Sequence, residues 1–183
     1  MKVIESELPG LLVIDIDRFS DTRGTFAESW HREKYAALGM TKDFVQDNLS
    51  VSTKGALRGL HFQNPSAQGK LVYVVQGEVF DIAVDLRLGS PTFGKWFGLN
   101  LSSDNGKQLF IPEGFAHGFV VMSDLAIFAY KCTDFYRKDC EWTLRWDDPE
   151  IGIKWPVEGP ILSDKDRNGF LLKDIPLERL FKY

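Results

Sequence analysis

Short stretches in which apolar and polar residues alternate, broken by glycine, proline, asparagine and aspartate, fill the middle of the chain. A period of two marks a strand with one buried and one wet face. The pattern predicts strands at Leu11–Ile16, Thr25–Trp30, Phe44–Ser52, Ala56–Gln63, Lys70–Val75, Glu78–Leu86, Lys95–Leu101, Gln108–Ile111, Phe115–Met122 and Ala126–Phe135. Turn residues such as Gln76-Gly77 and Asp104-Asn105-Gly106 separate them. So many short strands at close spacing predict an all-β chain, an antiparallel sandwich or barrel. Helix is scarce: one short helix at His31–Leu38, stopped by Gly39, and another within Asp164–Tyr183.

The Glu78–Leu86 strand places Phe80, Ile82, Val84 and Leu86 on one face and Val79, Asp81, Ala83 and Asp85 on the other. Asp81, centred in the strand, is expected to be an interior polar group. For Asp85 a solvated outer face is at least as good a reading as a polar pocket.

A length of 183 residues fits a single domain, with or without an extended arm. The net charge of −4 argues against nucleic acid as a partner, although a local cluster of cations could still hold one small anion. No apolar run is long enough to span a bilayer, and the opening Met1-Lys2-Val3-Ile4-Glu5-Ser6-Glu7 puts acids where a secretory signal needs an apolar stretch. Cys132 and Cys140 are too few and too close for a disulfide framework or a zinc site, so they read as a core and a loop residue. A cytoplasmic protein is expected.

Candidate chemistry begins with the histidines. The stretch Pro112-Glu113-Gly114-Phe115-Ala116-His117 is similar to the second motif of the cupin superfamily. Metal-binding cupins supply two closely spaced histidines and a glutamate from a first motif. Here that place offers His61 alone, and a catalytic metal site needs about three protein ligands. No metal is expected.

A longer ordered set of motifs is more specific. Asp21-Thr22-Arg23-Gly24, Gln46-Asp47-Asn48, Leu57-Arg58-Gly59-Leu60-His61-Phe62-Gln63, Gln68-Gly69-Lys70, Ser90-Pro91-Thr92-Phe93-Gly94, the His117 stretch, Tyr130-Lys131 and Leu162-Ser163-Asp164-Lys165-Asp166 follow one another along the chain. Together they resemble the dTDP-4-dehydrorhamnose 3,5-epimerase family, over essentially the whole length. The resemblance implies a cupin-type antiparallel jelly roll, or double-stranded β-helix barrel. It also implies a dTDP-4-keto-6-deoxy sugar as substrate, inversion at C3 and C5, and a homodimer with exchanged N-terminal strands. No cofactor is implied, because epimerisation involves no net oxidation.

Both carbons flank the C4 ketone, so each inversion needs a base, an acid and a positive group beside the developing oxyanion. By the resemblance His61 is the base, and its ordinary pKa of about 6.5 suits proton transfer at neutral pH. Asp166 resembles the carboxylate that orients this histidine. Lys70 and His117 resemble groups around the ketone, with His117 binding rather than catalytic. Tyr130 matches the proton donor, with Tyr136 as runner-up; strict alternation puts both on one face. Arg23, Arg58 and Lys165 resemble nucleotide-binding cations, and Phe26, Glu28, Gln46, Asn48, Gln63 and Glu141 its other contacts.

Strict alternation also places Arg58 and His61 on opposite faces of one strand. A bulge at Gly59, or a second subunit's site facing Arg58, would resolve the conflict. The alternatives to double epimerisation are a single-carbon epimerase or ketoisomerase on the same scaffold, and an inert nucleotide-sugar-binding cupin.

Overall fold

The computed structural model describes residues 1–183. Two antiparallel sheets carry the fold. The six-stranded sheet runs in the order β1 (Lys2–Glu5), β2 (Leu12–Asp15), β11 (Lys107–Ile111), β7 (Lys70–Gln76), β13 (Leu125–Cys132) and β5 (Gln46–Thr53). The five-stranded sheet runs β10 (Trp96–Ser102), β8 (Glu78–Asp85), β12 (Phe115–Val121), β6 (Leu57–Gln63) and β14 (Glu141–Thr143). A hairpin of β3 (Arg18–Asp21) and β4 (Gly24–Ala27) stands apart, and β9 (Arg87–Leu88) pairs with β15 (Phe181–Lys182). The jelly roll expected from the motifs is the fold observed, and each of the ten expected strands overlaps an observed one.

The two sheets bury one core between them, with Val72, Val79, Leu101, Leu109, Phe119 and Phe128 among its members. A second core covers the opposite side of the five-stranded sheet. There Leu60, Ile82, Val84 and Ala116 meet Leu144, Ile151, Leu172, Ile175 and Leu180 from the C-terminal segment. This sheet is therefore dry on both sides, which explains why all seven residues of β12 are buried and why its sequence does not alternate.

Burial on both sides also decides between the two readings of Asp85, which has no exposed surface. It accepts hydrogen bonds from the Arg87 guanidinium, Ser90 Oγ and Thr92 Oγ1 at 2.6 to 2.8 Å. A buried carboxylate persists when its lone pairs are filled in this way. Those partners lie in β9 and the turn that follows it, which the strand pattern alone did not bring together.

Helix is limited to α1 (Arg32–Ala36), α2 (Asp164–Arg167) and short 3₁₀ turns. The strand expected to run to Phe135 stops at Cys132. Asp134 follows, its carboxylate accepting from the Phe135 N–H at 2.7 Å.

Candidate active site

A cavity of about 610 Å³ opens between the two sheets at one end of the roll. From the six-stranded sheet come Gln46, Asn48 and Ser50 of β5, Lys70 of β7, and Phe128, Tyr130 and Cys132 of β13. They share a face because register pairs Tyr130 with Asn48, and Cys132 with both Gln46 and Lys70. The five-stranded sheet contributes Arg58, His61 and Gln63 of β6, His117 and Phe119 of β12, and Glu141 of β14. Lys165 and Asp166 of α2 close one side, and Tyr136 enters from the turn after β13.

The placing of Arg58 and His61 on one wall depends on a bulge. Against β12, His61 pairs with His117 while Arg58 pairs with Phe119. Three steps along β6 thus match two along β12, and the extra residue restores a common face. Gly59 occupies the bulge at φ 125°. A Cβ there would lie 2.5 Å from Gly118 Cα and 2.8 Å from the His117 carbonyl oxygen, both backbone atoms. Positive φ and close approach each require glycine. Gly59→Ala is expected to cost roughly 2 to 4 kcal/mol, from strained backbone and overpacking together. Urea unfolding measures this; an unchanged midpoint would remove the bulge from the account.

His61 and Asp166 form the closest ionisable pair of the cavity, with Nε2 and Oδ1 2.5 Å apart. The Ser163 hydroxyl caps α2 by accepting from the Asp166 N–H at 3.1 Å, which fixes where that carboxylate stands. Burial pushes the Asp166 carboxyl up, but the hydrogen bond and charge of His61 bring it below its ordinary value. Burial drives the His61 imidazole below its ordinary value, and the Asp166 contact offsets only part of that. A neutral imidazole beside an ionised carboxylate donates its Nε2 proton to it. Nδ1 then carries the lone pair, and no protein group bonds to it.

His117 is 6% exposed and stacks against Phe128, with ring planes 20° apart. Its Nε2 lies 2.9 and 3.1 Å from the two Asp81 oxygens. Asp81 is thus an interior polar group, as expected, and burial raises its carboxyl against the pull of His117 and Lys70. Lys70 lines the cavity with no carboxylate paired to it. Burial depresses its ammonium, opposed by Cys132, Glu141 and Asp81.

The two tyrosines differ in their bonding. The Tyr130 phenol makes no hydrogen bond to the protein, and burial pushes its pKa up to about 12. It is a fully protonated donor facing open space. The Tyr136 hydroxyl donates to Glu141 Oε2 at 3.0 Å, and Glu141 also pairs with Lys165 at 2.9 Å. Because β13 has ended, Tyr136 is not in register with Tyr130; side-chain bonds place its turn. Gln46 Oε1 accepts from the Tyr136 N–H at 2.8 Å. Gln63 is buried, its amide accepting from the Arg137 N–H and donating to the carbonyls of Ser66 and Phe135. Gln63 therefore shapes the cavity wall, with both amide protons already engaged.

Three expected site residues stand away from the cavity. Arg23 pairs with Asp21 at 2.6 Å, its side chain 88% exposed; Phe26 is 70% exposed; and Glu28 is held by Lys34 at 2.7 Å. All belong to the β3–β4 hairpin or the segment leaving it. Conversely, Ser50, Phe119, Phe128 and Cys132 line the cavity without having been singled out. Alternation extended from Tyr130 would have found Phe128 and Cys132, since residues two apart share a face.

Base, ammonium and phenol together can enolise a bound ketone and reprotonate the adjacent carbon. The comparisons agree with that chemistry. A family model described as dTDP-4-dehydrorhamnose 3,5-epimerase matches residues 5–174. The dTDP-4-dehydrorhamnose 3,5-epimerase of Shigella flexneri is 57% identical over 171 residues, which is 92% of this chain and 94% of its own. That of Methanothermobacter thermautotrophicus is 47% identical over 179 residues, 96% and 97% of the two chains. The crystal structure of dTDP-6-deoxy-D-glucose-3,5-epimerase from Legionella pneumophila, in complex with dTDP-4-keto-L-rhamnose, has a TM-score of 0.97 at 49% identity and covers 100% of this chain and 98% of that one.

Proposed function

The chain belongs to the dTDP-4-dehydrorhamnose 3,5-epimerase family, and from that premise we propose that it converts dTDP-4-dehydro-6-deoxy-D-glucose into dTDP-4-dehydro-L-rhamnose by inverting C3 and C5. The observation that carries this is the His61–Asp166 pair on one sheet's side of the cavity and the unpartnered Tyr130 phenol on the other sheet.

His61 Nδ1 takes the C3 proton, and the electron pair moves onto the C4 oxygen as an enolate. The Lys70 ammonium stabilises that oxygen, with the His117 imidazole beside it. Tyr130 then gives its phenolic proton to the opposite face of the carbon. Exchange with solvent returns a proton to Tyr130 and removes one from His61, so each step balances without a redox partner. Repetition at C5 completes the double inversion. The Tyr130 phenol is reloaded from water, so product formed in D₂O carries deuterium at both C3 and C5. Label at one carbon would make the protein a single-site epimerase, and absence of label would make it a binding module.

Neutralising the cation isolates its role. Lys70→Met is expected to lower kcat by about a hundredfold or more, the usual effect of removing one oxyanion donor. Steady-state kinetics with an intact circular dichroism spectrum checks this; a normal kcat would leave the enolate to other groups.

The nucleotide half is assigned to Arg58 and Lys165 for the diphosphate and to Tyr136 for the thymine face, with Gln46, Asn48 and Glu141 as polar contacts. Guanidinium suits a diphosphate because its fork bonds two oxygens at once. Arg23, Phe26 and Glu28 serve the cavity of a second copy in a homodimer. Support comes from β5, an edge strand of the six-stranded sheet with Leu49 and Val51 exposed at 65% and 57%, and from the exposed Phe19 and Phe26 of the hairpin. Bare apolar edges of this kind are normally covered. Sedimentation equilibrium is expected to return twice the chain mass of 20.8 kDa; a single chain mass would refute the shared site. Residues 1–183 act as one catalytic unit, and no helix is long and apolar enough to cross a membrane. Nucleotide sugars made and used in the cytoplasm fit that picture, and the net charge of −4 gives nucleic acid no foothold.

A further inference from the structure

Ser52 is 6% exposed on β5 in the six-stranded sheet, whereas Arg58 lies on β6 in the five-stranded one. The Arg58 Nε–H donates to Ser52 Oγ at 3.0 Å, a bond that joins the two sheets beside the cavity. It is the only hydrogen bond that the Arg58 side chain makes to the protein. Three other cations of these sheets and the cavity rim are tied to carboxylates, Lys165 to Glu141, Lys131 to Asp47 and Arg87 to Asp85. Arg58 has no such partner. Its two terminal nitrogens are free while its Nε is fixed.

We propose that Ser52 is a positioning residue for nucleotide-diphosphate binding, acting through Arg58. The inference rests on the reading of the cavity as a nucleotide-sugar site. An arginine on an exposed stem samples many rotamers, and phosphate recognition through its fork demands one orientation of the plane. Anchoring Nε to a buried hydroxyl selects rotamers in which both Nη groups remain available to two phosphate oxygens. A carboxylate in the place of Ser52 would cancel the charge that the diphosphate needs. A hydroxyl orients the guanidinium and leaves its charge uncompensated.

The test measures calorimetric binding of dTDP to the full chain, to Ser52→Ala, to Arg58→Met and to the double variant, with KM and kcat for each. Ser52→Ala is expected to weaken dTDP binding and raise KM about five- to tenfold, the loss of one hydrogen bond to a charged group. Its kcat should stay within about twofold, because diphosphate contacts bind ground and transition states alike. In the Arg58→Met background the same substitution should add nothing, since its effect passes through the guanidinium. Unchanged dTDP affinity in Ser52→Ala, or an equal loss with Arg58 already removed, would overturn the inference while leaving the function standing. Failure of the parent chain itself to bind dTDP would sink the nucleotide-sugar reading and this inference with it.

Discussion

His61→Asn is expected to lower kcat by about a thousandfold or more and to stop solvent exchange at both C3 and C5. General acid–base groups contribute roughly 10² to 10⁴ in rate, and one base serves both carbons here. Asparagine keeps a hydrogen-bonding amide near Asp166 but offers no lone pair basic enough to take a carbon-bound proton. The variant should still bind dTDP, because the diphosphate contacts lie elsewhere in the cavity. An acid limb in the pH profile of the parent belongs to the same group. Burial lowers the His61 pKa from its ordinary 6.5, so the neutral, proton-accepting form persists below that pH. Activity should hold as pH falls to about 6.5 and decline only beneath it. An acid limb at or above 6.5, or normal exchange in His61→Asn, would take the base role from this residue.

Tyr130→Phe is expected to lower net inversion by about 10²- to 10⁴-fold, with initial proton loss far less affected. The two effects separate because the phenol acts after the enolate has formed. Burial raises the Tyr130 pKa to about 12, so the donor stays loaded throughout the neutral and mildly alkaline range, and no alkaline limb below about pH 10 should come from it. Lys70 is different: its depressed ammonium pKa makes loss of the cation the first event on the alkaline side. Product analysis by proton NMR distinguishes the variants. Equal loss of exchange and inversion in Tyr130→Phe would mean that the phenol is needed before deprotonation, and Tyr136 would not rescue the scheme, since its hydroxyl is bonded to Glu141.

Much of this arrangement was legible in the residues. Strand patterning located all eight strands of five or more residues, because most of them pack one face into the core, and the ordered motifs brought His61, Lys70, His117, Tyr130 and Asp166 to one cavity. What escaped had a physical cause in each case. Asp85 stayed open between a solvated and an interior place because its ligands follow its own strand in sequence, and hydrophobic periodicity does not report hydrogen-bond partners. Tyr136 shares the cavity with Tyr130 through bonds from Gln46 and Glu141, not through strand register, because the strand ends four residues earlier. The conflict between Arg58 and His61 was visible as a parity problem, and Gly59 was the correct place to look for its resolution. The alternation rule fails at a bulge, and a glycine with positive φ supplies one. Gln63 looked like a ligand contact because its motif sits beside His61, yet its amide holds the neighbouring turn. The hairpin bearing Arg23, Phe26 and Glu28 stands away from this chain's own cavity, a placement that the exchanged N-terminal strands implied by the family resemblance had allowed for.

The two-sided geometry is tested most directly by incubating Tyr130→Phe with dTDP-4-keto-6-deoxyglucose in D₂O and recovering the sugar nucleotide for NMR. With the base intact and the opposing acid gone, the enolate can be reprotonated only from the side of His61. The recovered material should therefore carry deuterium at C3 with its configuration unchanged. Deuterated product inverted at C3 and C5 at the parent's rate would contradict the assignment of Tyr130 as the proton donor on the opposite face.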